Sequence, residues 1–286
     1  MKPAWIALPL LALLLLPALA HDFWIEAGRF SAPAGTPLEA RLFVGHLDDR
    51  EERARDPRRL LEFYLQGPDG KRLPLLGEPG QSPAGRVEAL PAGLCWLAYR
   101  SNFSTSELEP AKFEAYLREE GLEHILAERA RLGESERPGR EHYARCAKAL
   151  VRGLGPDASL PTGDFAARLG LPVELTLGAD PAFRPSTDPA GPADQLPVSL
   201  LVGGAGVEGH LVVLERLDAA PQAPQVFRAR TDAEGIARFP WPGEGRWLAS
   251  AVHMSRSPQA RDHEWKSHFA SLCFEVPASQ PAPTGG

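Results

Sequence analysis

The sequence of 286 residues has a formal net charge of -6 at pH 7 and contains 27 glycines, 29 prolines and 3 cysteines. An acidic chain lacks the basic stripe that nucleic-acid binding requires, so we exclude nucleic acid as a partner. The glycines and prolines separate many short apolar runs, which favours a mainly β protein over a helical bundle.

The first segment, residues 1–20, has the features of a secretory signal peptide. Lys2 is followed by an apolar run from Trp5 to Leu16, and the triplet ALA at 18–20 forms a cleavage site. The run is too short to span a bilayer, which takes about 20 residues, and no second such run follows. We therefore expect a periplasmic or secreted protein that does not span the membrane and that begins at His21.

The next segment, residues 21–104, is predicted to form an N-terminal β-sandwich. Alternating side chains predict a first strand from His21 to Ile25 and a second strand that ends at His46. A hairpin is expected where the turn signal GPDG at 67–70 separates two apolar runs. The charged run at 47–59 is interpreted as a solvated loop.

Residues 105–155 change to helical spacing, which predicts an α-helical insertion. Pro110 suits a first helical position, and Gly121 offers a stop before a second helical run. A third run, after the dipeptide PG at 138–139, has an apolar stripe from Tyr143 to Leu150. His124 and His142 belong to these runs and are interpreted as partly exposed helix residues.

The remaining chain, residues 156–277, is predicted to form a C-terminal transthyretin-like β-sandwich, and residues 278–286 are expected to be disordered. Its strand from Arg246 ends an apolar stripe at His253. The fold class is therefore mainly β, with two Ig-like or transthyretin-like β-sandwich domains and an α-helical insertion. Such sandwiches are structural and assign no chemistry by themselves.

The cysteines are Cys95, Cys146 and Cys273, an odd number for an oxidising compartment. At most one intramolecular disulfide can form, and the sequence leaves the pairing open. Their spacing fits no zinc-ribbon pattern, so we interpret them mainly as small buried residues.

Several short motifs together resemble the DUF4198 family of exported bacterial proteins. They are HDFWIE from His21, LFVGH ending at His46, DPRR at 56–59, KFEAYL at 112–117 and AVHM around His253. Members of that family have been linked to nickel or cobalt uptake systems as periplasmic accessory components. The resemblance therefore implies metal handling and a membrane metal transporter component as a partner.

The residues that the resemblance marks as metal ligands are His21, His46 and His253. At a free N-terminus, His21 offers both an α-amine and an imidazole, which together can chelate one ion. His46 and His253 each end an apolar stripe, where a strand meets its loop. Nitrogen ligands suit nickel, cobalt or copper, with zinc possible, better than calcium or magnesium. We expect one shared metal site with no catalytic residues.

Two other classes of function stay open. The first is a copper oxidoreductase of the histidine-brace type, because lytic polysaccharide monooxygenases also begin at a mature histidine and carry a β-sandwich. The second is a metal-free interaction or adhesion module. A hydrolase is disfavoured, since the chain has no Gly-x-Ser-x-Gly elbow and no His-Glu-x-x-His motif.

Overall fold

The computed structural model describes residues 22–46, 49–183, 195–220, 222–258 and 262–278. Within these residues the chain forms eighteen strands and two helices, which confirms a mainly β fold with a small helical insertion. The predicted signal peptide, His21 and nearly all of the C-terminal tail lie outside the described residues.

A central sheet of ten strands dominates the described part of the chain. Its strands are β2 Ser31–Pro33, β5 Leu60–Gln66, β6 Arg72–Pro74, β8 Gly93–Ser101, β9 Ser104–Leu108, β10 Gly139–Leu154, β14 Leu211–Arg216, β15 Val226–Arg230, β17 Gly245–Arg256 and β18 Trp265–Val276. Eight of them follow the order β15-β14-β17-β18-β10-β8-β5-β6, and the other two, β2 and β9, pair with β10. The sheet therefore joins strands from both predicted sandwiches, whose domain boundaries stay a prediction.

Two smaller sheets, each of four strands among the described residues, pack against this central sheet. Sheet A contains β1 Asp22–Ala27, β3 Leu38–Gly45, β4 Glu51–Arg53 and β7 Gly85–Val87. Sheet C contains β11 Val173–Leu177, β12 Gln195–Val202, β13 Ala205–Gly206 and β16 Ile236–Pro240.

The side chains of β17 show that the two small sheets cover opposite faces of the central sheet. Trp247, Ala249 and Ala251 lie in one apolar core with sheet C. The intervening Leu248 lies in the core of sheet A, and Val252 lies in a third core with the helices. Because successive strand residues point to opposite faces, sheet A and the helices share one face and sheet C covers the other.

The two helices are α1 Pro110–Glu119 and α2 Glu123–Arg131, as the helical spacing predicts. Pro110 begins α1, where a missing N–H costs nothing, and Phe113 and Leu117 are buried against the sheet. Gly121 ends the helix with φ +66°, and the N–H of Leu122 donates to the Leu117 carbonyl at 2.8 Å. The helices therefore form a tight hairpin.

The predicted third helix is wrong, because residues 139–154 form the long strand β10. Its alternate side chains enter two cores: Cys146 and Leu150 face sheet C, while Ala147 and Val151 face sheet A. A strand buried on both faces has no polar side, so its apolar pattern is not distinguishable from helical spacing over a few turns.

All three cysteines are buried free thiols, which confirms their interpretation as small buried residues. Burial raises the pKa of Cys95 to about 12 and that of Cys146 to about 11. These thiols therefore stay protonated and unreactive at neutral pH. Among the described residues, no helix is long and apolar enough to cross a membrane.

Candidate functional site

A row of imidazoles crosses neighbouring strands of the central sheet on the face that sheet C covers. His210 immediately precedes β14, His253 lies in β17 and His268 lies in β18, directly opposite His253 in the strand register. His253 follows Ala251 on its face, and His268 precedes Ala270. The exposed His124 lies at the start of α2, which packs on the opposite face of the sheet, but its ring lies beside that of His210, and we call these four residues the histidine row.

The closest contact in the row joins His210 and His253. Nε2 of His210 lies 3.0 Å from Nδ1 of His253, and the two rings stack at 5.2 Å between centroids. Nδ1 of His210 lies 3.0 Å from the carbonyl oxygen of Glu208, which can only accept a hydrogen bond. In the neutral ring, Nε2 of His210 therefore presents a lone pair to His253, and a proton on Nδ1 of His253 completes the hydrogen bond between the two rings.

The backbone around His210 is fixed by Thr231, which is buried at the end of β15. The N–H of His210 donates to the Thr231 hydroxyl at 3.0 Å, and the N–H of Thr231 donates to the His210 carbonyl at 3.0 Å. The same hydroxyl donates to the Val207 carbonyl at 2.6 Å. These bonds hold the imidazole of His210 against β17 before any ligand binds.

Arg230 ties the element that carries His124 to the element that carries His210. Its guanidinium donates to both carboxylate oxygens of Glu123, at 2.7 and 2.8 Å, and to the Gly209 carbonyl at 2.7 Å. It also donates to the Gly121 carbonyl at 3.2 Å. As a result the centroids of the His124 and His210 rings lie 5.9 Å apart.

The imidazoles of His210, His253 and His268 are uncharged at neutral pH. Burial, followed by the charge of the neighbouring imidazoles, lowers the pKa of His253 to about 4. Burial likewise lowers the pKa of His268 to about 4 and also lowers the pKa of His210. Neutral imidazole is the form that can bind a metal ion, and these three side chains would not have to lose a proton to do so.

The structure does not bring His46 and His253 together. His46 follows β3 in sheet A, and its N–H donates to the Asp49 carboxylate at 2.8 Å. Sheet A packs against the face of the central sheet opposite to the histidine row. His21 lies outside the described residues, but the next residue, Asp22, pairs with Gly45 in the register of β1 and β3. Two of the three predicted ligands, His253 and His46, therefore lie on opposite sides of the central sheet.

The structure also differs from the sequence prediction at two other histidines. His142 lies in β10, not on a helix, and its ring packs 4.3 Å from His263 and 4.5 Å from Phe103. The sequence analysis does not identify His210 as a candidate ligand. Its place at the start of a strand could have indicated one, but only the pairing of β14 with β17 shows that His210 contacts His253.

Across the described ranges, no group of three or more His, Cys, Asp or Glu side chains is arranged to hold a metal ion as it stands. The contact between His210 and His253 is therefore a two-ligand arrangement. A third ligand requires a side chain to turn, and His124 is exposed on the first turn of its helix.

The fold and the histidine row define a mainly β protein with a cluster of neutral imidazoles on its central sheet. The chain belongs to the family described as Domain of unknown function (DUF4198), whose model matches residues 18–255. The match includes His124, His210 and His253 and ends before His268. A comparison with curated proteins finds no match.

Proposed function

We propose that this chain is an exported transition-metal-binding protein, which acts in the periplasm in the uptake or delivery of nickel, cobalt or copper. The observation that carries the proposal is the 3.0 Å contact between Nε2 of His210 and Nδ1 of His253. With metal–nitrogen bonds of about 2.0–2.1 Å, two nitrogens at this spacing subtend an angle of about 90° at the ion. That angle suits adjacent positions of a tetragonal copper(II) or nickel(II) ion.

The two histidines would leave other coordination positions of the metal ion open, which favours delivery of the ion over its permanent storage. His124 is the third imidazole within reach of a side-chain rotation, since its ring lies 5.9 Å from that of His210. A site with two fixed ligands and one mobile ligand leaves a position open to a donor from another molecule. We propose that this other molecule is a membrane metal transporter component, as the family resemblance implies.

The mature N-terminus remains a second proposed binding position. Asp22, the first described residue, pairs with Gly45, the residue before His46, so the described chain begins close to His46.

Metal-dependent thermal unfolding tests the proposal. Mature protein is stripped with a chelator, dialysed and heated with copper(II), nickel(II), cobalt(II) or zinc(II). An ion that binds only the folded state must raise Tm, because binding stabilises that state by mass action. We expect at least one of these ions to raise Tm in a saturable way.

Matched variants locate the ion. His253→Asn keeps a hydrogen-bonding group near the position of Nδ1 but removes the imidazole, and we expect it to lose most of the metal-dependent shift. His142→Asn removes another half-buried imidazole on the same face and should keep the shift. Equal shifts in the wild type and in both variants would exclude His253 as a ligand.

A further pair of variants distinguishes metal binding at the N-terminus from binding at His210 and His253. His46→Ala, and one extra alanine before His21, should reduce only binding at the N-terminus. If copper bound there also supported reductant-dependent oxidation of a polysaccharide, the histidine-brace oxidoreductase would replace the delivery function. A metal-free interaction module predicts no shift with any of the four ions.

A further inference from the structure

A cavity of about 610 Å³ lies between sheet A and the central sheet, on the side away from the histidine row. Its apolar wall contains Phe23 of β1, Leu42 and Val44 of β3, and Tyr99 of β8. Its volume is in the range of small-molecule binding sites. The mouth is formed by the segment at 51–59, which the sequence predicts to be only a solvated loop.

The innermost charged group of this cavity is the guanidinium of Arg145. It lies 5.1 Å from the centroid of the Phe23 ring and 5.5 Å from that of Tyr143. Its Nε is buried without a hydrogen-bond partner, and no carboxylate of the described residues forms an ion pair with it. Burial lowers the pKa of Arg145, Tyr143 and Tyr99 oppose this shift, and the positive charges of Arg53 and Arg59 add to it.

The carboxylates around the cavity are all engaged by other arginines. Glu51 pairs with Arg53 at 2.9 Å, and Glu52 lies 3.9 Å from Arg41. Asp56 pairs with Arg58 at 3.0 Å.

Two guanidiniums that line the cavity therefore form no ion pair with a carboxylate of the described residues. Arg145 is the inner one, and Arg59 is the outer one, which donates to the hydroxyl of Ser104. A buried cation without a counter-charge is unfavourable. A bound anion would remove that cost and would engage the planar guanidinium through two parallel hydrogen bonds.

We propose that this cavity binds a small organic anion, whose carboxylate or phosphate group is held by Arg145 and Arg59 and whose apolar part rests on Phe23, Leu42 and Val44. The site is separate from the histidine row and does not depend on metal binding. Two of the motifs shared with the family contribute to this proposed site: Phe23 comes from the HDFWIE segment and Arg59 from the DPRR segment.

Isothermal titration of the metal-stripped mature protein tests this site with three probes at constant ionic strength: citrate, benzoate and inorganic phosphate. We expect saturable binding of at least one. Binding of citrate or benzoate alone assigns a carboxylate ligand, and binding of phosphate alone assigns a phosphate ligand. No saturable binding of any probe to the wild type would overturn the proposal.

Arg145→Met removes the charge with little change in shape, and we expect it to weaken binding by about tenfold or more. Arg118→Met, which removes an exposed charge on α1, is the matched control and should bind like the wild type. If Arg145→Met does not fold, Val44→Trp fills the cavity without altering its charge and should block binding. Unchanged affinity in either cavity variant would overturn the proposal.

Discussion

Lys148 and Glu174 form a fully buried ion pair between the central sheet and sheet C. Nζ of Lys148 donates to Glu174 at 2.8 Å and to the Ala167 carbonyl at 2.9 Å, and it lies 4.5 Å from the centroid of the Trp96 ring. Glu174 also accepts the N–H of Leu169 at 2.6 Å. The pair therefore fixes the chain segment that crosses from β10 to β11.

Removing one partner of this pair should destabilise the protein strongly. Glu174→Gln leaves the ammonium of Lys148 buried without a counter-charge, and we expect a loss of about 3–5 kcal/mol in the free energy of unfolding. The double variant Lys148→Met with Glu174→Leu removes both charges and should lose much less. Urea unfolding measures both, and a double variant as unstable as the single one would contradict this account.

Glu141 should make the stability depend on pH. It is buried beside the hydroxyls of Tyr116 and Ser267, and burial raises its pKa from an ordinary value of 4.5 to about 7, although both hydroxyls oppose the rise. Between these two pH values the folded protein keeps a proton that the unfolded chain loses. Stability contributed by this group is therefore present below pH 4.5 and is lost as the pH rises to 7.

Glu141→Gln keeps the shape of the side chain and removes the titration. The stability of the wild type relative to this variant should fall by about 3 kcal/mol between pH 4.5 and 7. Urea unfolding of both proteins across that range measures the difference. Parallel pH curves would show that the carboxyl of Glu141 does not titrate in this way.

At the level of elements, the helical hairpin is positioned by its contact with the first residue of β10. A Cβ atom built on Gly139 would lie 2.2 Å from ring atoms of Phe113, which is fully buried in α1. The close approach of helix and strand thus requires a residue without a side chain at this position.

Gly139→Ala should force α1 away from the sheet and cost about 1–3 kcal/mol through overpacking. Gly243→Ala is the control, because an added Cβ meets no atom within 4 Å there. We expect the control to change the stability by less than about 0.5 kcal/mol. Thermal unfolding compares the two variants, and similar stabilities would contradict the tight contact.

Sequence periodicity predicts those elements that have one polar face or a clear turn. The hairpin around Gly70 forms as expected, as do the strand that ends before His46 and the helix that begins at Pro110. β10 could not be predicted, because both of its faces are buried and its pairing with β18 joins residues far apart in the chain. Local patterns carry no information about such pairing.

For the whole molecule, the topology of the central sheet determines which histidines meet. The sequence correctly marks His253 as the end of an apolar stripe, but its contact with His210 depends on β14 and β17 becoming neighbours. The chain also places sheet A on the opposite face, so His46 lies away from His253. The structure therefore does not bring these two predicted ligands together, and His21 lies outside the described residues.

Anomalous X-ray diffraction from crystals of the mature protein grown with copper(II) or nickel(II) tests the metal proposal most directly. Data collected at the absorption edge of the ion should show a peak about 2 Å from both Nε2 of His210 and Nδ1 of His253. A second peak beside His46 would mark the N-terminal position. If no anomalous peak appears next to these two nitrogens at saturating metal, His210 and His253 do not bind the ion, and the proposed metal site is contradicted.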